Sequence, residues 1–193
     1  MIRCLRPQIA TCSCFVLVPG MFDARAIANF FLDRADAQGR AVSVMTLLKV
    51  LYFAHAWYLA KYNSPLVAQP FEAWKYGPVN RVVYDQLKGC GDKPVRQRLQ
   101  YFSASKCGFV EAECNLTYDD AKFLEDIFDY YSQFHPFHLS DLTHEKGSPW
   151  EIVWTTAENR AVPGMMIPDS LILEWFRDSG GGHGRNRSRG NLA

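Results

Sequence analysis

The step Gly77-Pro78 stands where an aromatic run ends and a helical repeat begins. Glycine frees the backbone and proline then fixes φ at about −65°, so the chain has a defined corner there. Ahead of it, Phe71-Glu72-Ala73-Trp74-Lys75-Tyr76 places an aromatic ring on either side of a lysine. Behind it, Val79, Val83, Tyr84 and Leu87 keep helical spacing. The segment is expected to form a short strand, a rigid corner and a helix.

Helical periodicity governs much of the rest. Residues 22–35 form an amphipathic helix, with Asp23 as N-cap and Gly39 as punctuation beyond its end. A longer helix spans about Val44 to Tyr62, with Leu47, Leu48, Leu51, Tyr52, His55, Tyr58 and Leu59 in a stripe wide enough to make it central. Asn63-Ser64-Pro65 stops it, and Leu66-Val67 is expected to pair with Phe71–Tyr76 as short strands. Residues 95–116 read as one or two strands. Thr117-Tyr118-Asp119-Asp120 is a capping box for a helix to about Phe134, buried through Leu124, Ile127, Phe128 and Tyr131. Pro136 breaks that helix, a short one follows to about Thr143, and a last one covers Ser170 to Arg177.

The fold expected is α+β and predominantly α: five or six helices around Val44–Tyr62, with a small antiparallel sheet from the 65–76 and 95–114 regions. A length of 193 residues with 48% apolar and 14% aromatic side chains supports one domain with a real core rather than a disordered chain. No apolar run is long enough for a membrane span. The domain is placed at 21–177, with translation expected to begin at Met21 and residues 1–20 as a leader or mis-assigned start. Residues 178–193, rich in Gly and Arg, are expected to be a disordered tail.

The net charge of +1 conceals an uneven distribution. Residues 23–176 carry 15 basic and 19 acidic side chains, and the excess of arginine lies at the two ends. An acidic body is poorly suited to gripping nucleic acid and better suited to a basic protein partner. The cysteines at 90, 107 and 114 are odd in number and irregularly spaced, which fits reduced thiols in a cytoplasmic protein.

Three blocks occur in order: Leu48-Lys49-Val50-Leu51-Tyr52-Phe53, then Glu72-Ala73-Trp74-Lys75-Tyr76-Gly77-Pro78-Val79 with Tyr84, then Leu142-Thr143-His144 with Ser148-Pro149-Trp150. Over roughly residues 23 to 176 the sequence resembles the Panacea domain, the SocA-like antitoxin family often described as phage-associated proteins. That resemblance implies an antitoxin that binds a cognate protein toxin, in some relatives as an adaptor delivering it to an AAA+ protease. It implies no cofactor and no chemistry. It also nominates a motif core: Lys49, Tyr52, Trp74, Lys75, Tyr76, Gly77, Pro78, Val79, Tyr84, Thr143, His144 and Trp150.

Several of the nominated residues have a plainer reading. Lys49 keeps the position the family motif gives to lysine, beside Tyr52; its plainer reading is a solvated edge lysine whose stem covers aromatic surface. Trp74 and Tyr76 on one strand face, with Lys75 on the other, fit packing first, a partner interface second and base stacking third. Thr143 reads as a helix-end hydrogen bonder, His144 as packed or capping, and Trp150 as a hinge-loop anchor. His55 reads as a satisfied core histidine. His135, His138 and His144 with Asp141 and Glu145 offer zinc-compatible ligands or a hydrolase base. However, Pro136 interrupts the helical pair and no nucleophile motif accompanies them. An enzyme using these histidines and a nucleic-acid regulator are therefore the competing readings.

Overall fold

A computed structural model of the chain describes residues 21–157 and 164–178. The expected leader, and the tail beyond Asp178, lie outside the described residues. In chain order the elements are α1 (Ala24–Ala37), α2 (Val44–Tyr62), β1 (Phe71–Trp74), β2 (Gly77–Asn80), α3 (Arg81–Leu87), β3 (Gln100–Ser103) and β4 (Gly108–Glu111). They continue with α4 (Tyr118–Tyr131), α5 (Pro136–Thr143), α6 (Pro149–Thr156), β5 (Met166–Ile167) and α7 (Asp169–Asp178). The α+β, mostly helical architecture expected from the sequence is present, with seven α-helices among the described residues.

Helix α2 is the axis of the core. Fourteen of its 19 residues are buried, because it meets α1, α3, α4, α5, α7 and β2 on different sides. A helix apolar nearly all round has to be buried this way. Its ends are firmly set. The Ser43 side chain accepts from the Thr46 N–H, and Asn63 closes the C-terminus in the left-handed region at φ 54°. Aromatic rings fill the space around it: Phe53 stacks on Tyr131 at 4.2 Å, and Tyr52 meets Phe71 edge-on at 5.3 Å. His55 is a satisfied core histidine as expected. Its Nδ1 accepts from the Val67 N–H at 3.4 Å, and its Nε2 faces Asp169 of α7 at 3.0 Å.

The strands depart from expectation in two ways. Leu66-Val67 does not pair with Phe71–Tyr76; Val67 instead bridges Phe22 in parallel. The partner of β1 is β2, antiparallel, with Trp74 opposite Gly77 and Phe71 opposite Asn80. Gly77-Pro78 is thus the start of a strand, and the turn is Lys75-Tyr76. Proline fits there because β2 is an edge strand in the order β2-β1-β5, so one face of its backbone carries no ladder. The second departure is that β3 and β4 form a separate two-stranded sheet instead of joining the first.

The β3–β4 hairpin is fastened to the body by one buried amide. Asn29 of α1 donates Nδ2 to the carbonyls of Leu99 at 2.8 Å and Ala112 at 3.0 Å, and accepts from the Leu99 N–H at 2.8 Å. All three partners flank the hairpin. Replacing Asn29 with alanine strands these groups away from water, at a cost of about 1–3 kcal/mol for each buried group left unsatisfied. Asn29→Ala is expected to lower unfolding stability by about 2–4 kcal/mol on the same reasoning. Urea titration measures it, and an unchanged midpoint would show that the amide is not the fastener.

Helix α6 was not expected. Pro149 occupies its first turn and the Ser148 side chain accepts from the Glu151 N–H, a serine cap followed by proline. Trp150 is therefore on a helix and not in a hinge loop, although it is buried as expected.

Candidate functional site

The first sheet's hairpin is held by three helices, one carbonyl each. The carbonyl of Trp74 accepts from Trp150 Nε1 of α6 at 2.8 Å. The carbonyl of Tyr76 accepts from Ser140 Oγ of α5 at 2.9 Å. The carbonyl of Pro78 accepts from Lys49 Nζ of α2 at 3.1 Å. The last residue of β1, the turn and the start of β2 thus each offer one carbonyl to a donor on a separate helix. A strand edge whose carbonyls face the protein interior must find donors, and here side chains supply them.

Lys49 is the least expected member. The sequence suggested a solvated edge lysine, but the side chain is only 1% exposed. Elements distant in sequence close over it, and burial pushes its pKa down to about 7. Gly77 makes room for it. Its φ is +98°, and a Cβ there would lie 2.5 Å from Lys49 Nζ and closer still to Thr143 Oγ1. Thr143 Oγ1 donates to the Ser140 carbonyl at 2.7 Å, and Ser148 Oγ donates to the Thr143 carbonyl at 2.9 Å, which ties the end of α5 to the start of α6. His144 caps α5 and stacks on Trp150 with centroids 3.7 Å apart. Burial, and next the charge of Lys49, hold its pKa below the usual imidazole range against a smaller pull from Asp141. Its Nε2 is buried with no hydrogen-bond partner among the described residues.

So Lys49, Gly77, Pro78, Thr143, His144 and Trp150 come together, from three blocks far apart in sequence. Tyr52 does not join them; it is core, edge-on to Phe53, Phe71 and Phe176. Sequence reasoning missed Ser140, which carries no local signal. It also missed Ser148 as a cap, although Ser-Pro before an apolar run is such a signal.

On the outer side of the hairpin lies a groove of about 440 Å³. Six nominated residues line it: Lys49, Trp74, Lys75, Tyr76, Val79 and Tyr84. Met45 and Leu48 from the start of α2 complete the apolar wall, and Lys88 stands beside it. Trp74 and Tyr84 meet edge-on at 4.8 Å, and Trp74 Nε1 donates to Glu72 at 2.9 Å. The expected strand alternation of Trp74, Lys75 and Tyr76 does not occur, because Lys75 and Tyr76 form the turn and Tyr76 is 53% exposed.

The histidines nominated for catalysis do different local work. His135 caps α5 by accepting from the Phe137 N–H at 3.4 Å, and His138 lies against the Phe134 ring. Among the described residues no group of three or more His, Cys, Asp or Glu side chains is placed to hold a metal ion. Among them, too, no helix is long and apolar enough to cross a membrane. Cys90, Cys107 and Cys114 are free thiols.

Residues 47–151 match the protein family described as Antitoxin SocA-like, Panacea domain. A curated relative, Antitoxin SocA of Caulobacter vibrioides (strain NA1000 / CB15N), is 31% identical over 159 residues, covering 82% of this chain and 85% of the relative. No solved structure matches the chain.

Proposed function

The chain belongs to the SocA-like antitoxin family with the Panacea domain, and from that premise we propose that it neutralises a cognate protein toxin by binding it directly. The observation that carries this reading is the clamped hairpin. Three helices fix a turn whose outer side presents Tyr76, Lys75 and an apolar groove. A pre-organised surface of this kind binds without first losing conformational entropy. Trp and Tyr there are residue types that dominate interface energies. On this reading the motif residues from Thr143 to Trp150 hold the surface in place, and the protein performs no chemistry.

Two routes to neutralisation follow. The antitoxin either covers the toxin's working surface or hands the toxin to an AAA+ protease. Expressing the adjacent gene with and without this chain tests the reading. Toxicity is expected to disappear on co-expression, with the two proteins co-purifying. A harmless neighbour, or toxicity untouched by this chain, would overturn it. The half-life of the toxin separates the routes: it persists when covered and falls when delivered.

A further inference from the structure

The groove beside the hairpin turn has a charge pattern opposite to that of the body around it. Residues 23–176 are acidic on balance, yet the exposed charged side chains lining the groove are Lys75 and Lys88 against Asp92, with Lys49 buried at its base. Lys88 is engaged with Asp85 at 3.1 Å, a surface pair that water and salt weaken. The Lys75 ammonium lies over the Tyr76 ring at 5.3 Å. Neither Lys49 nor Lys75 forms an ion pair with a carboxylate among the described residues. Lys49 is 1% exposed and donates to the Pro78 carbonyl, so the cations open to a partner are Lys75 and Lys88. The rest of the lining is apolar or aromatic: Met45, Leu48, Trp74, Val79 and Tyr84. Concave apolar surface with a few convergent polar groups is the usual form of a binding site.

We propose that this groove receives an acidic segment of the toxin, with one aromatic or long aliphatic side chain entering it and neighbouring Asp or Glu side chains meeting Lys75 and Lys88. The inference rests on the antitoxin reading above and specifies its contact. The overall charge of the body would select a basic partner; the groove selects the reverse. Local complementarity decides register and encounter at an interface, so the groove governs the choice. The competing surface is the tip of the β3–β4 hairpin, where Phe102 and Phe109 stand 61% and 71% exposed.

The test uses the full chain and the purified product of the adjacent gene, with affinity measured by calorimetry at two salt concentrations. Met45→Glu sets a carboxylate in the groove. It lies in the first turn of α2, where a negative charge suits the helix N-terminus, so the fold is retained. Lys75→Glu with Lys88→Glu reverses the rim on exposed side chains. Each is expected to weaken binding roughly tenfold or more, and added salt is expected to weaken the wild type. Phe102→Ser with Phe109→Ser is expected to leave affinity unchanged. If both groove variants bind as the wild type does and still neutralise, the groove assignment is wrong and the antitoxin reading stands. Loss confined to the hairpin variant moves the interface there and likewise overturns the groove. A wild-type chain that neither binds nor neutralises removes both readings.

Discussion

Gly77→Ala is expected to destabilise the fold by about 3–5 kcal/mol, a large share of the roughly 5–15 kcal/mol that holds a domain of this kind. Two costs combine. At φ +98° any side chain is strained, and the new methyl group would overlap Lys49 Nζ and Thr143 Oγ1. Moving the lysine breaks its hydrogen bond to Pro78 in a place water does not reach. Urea unfolding measures the loss, and a change under about 1 kcal/mol would mean the hairpin yields easily. The contact can be isolated by pairing the substitution with Thr143→Ala. Removing Oγ1 relieves part of the overlap, so the double variant should lose less than the sum of the singles.

Stability is expected to rise by about 2 kcal/mol between pH 7 and pH 9, the slope climbing to about 1.4 kcal/mol per unit as Lys49 of the folded chain loses its proton. The source is Lys49. In the unfolded chain its amine titrates near the ordinary 10.5, but in the fold near 7. Between those values the unfolded chain holds one more proton, so each step down in pH favours unfolding. The contribution is fully present above the unfolded value and lost as pH falls toward the folded one. His144, also held low, extends the same trend below its ordinary 6.5. From about pH 9 upward the Cys114 thiol, raised to about 11 by burial, opposes it, because the unfolded chain then sheds its proton first. Urea midpoints for the wild type and Lys49→Met separate the effects. The methionine variant should show no rise from pH 7 to 9, and an unaltered slope would clear Lys49 of the role.

Helices α1, α2, α4, α5 and α7 were legible because each has an apolar stripe and a start or stop signal that local chemistry enforces. Ser43, Thr117 and Asn63 act where their residue types say they should. The hairpin was misread because Gly-Pro usually ends an element, whereas an edge strand tolerates both residues. Helix α6 was missed because the stretch around Trp150 was read as a hinge loop, although Ser148 followed by proline suits a helix start. Strand β5 is two residues long and exists only because β1 leaves an edge for it. At the site, the burial of Lys49 is invisible to any local rule. A lysine between leucine and valine reads as surface until segments 28 and 94 residues downstream close over it. The resemblance named those segments; only the fold shows that they meet.

The contact between His55 and Asp169 spans 114 residues. At roughly 5–20 residues per second, the ribosome needs about 6 to 23 seconds to travel that distance. Throughout that interval α2 lacks the helix that covers one of its apolar sides, since α7 is the last described element to be made. During synthesis, therefore, the side of α2 that α7 covers has to wait for the last described helix before its apolar surface can close.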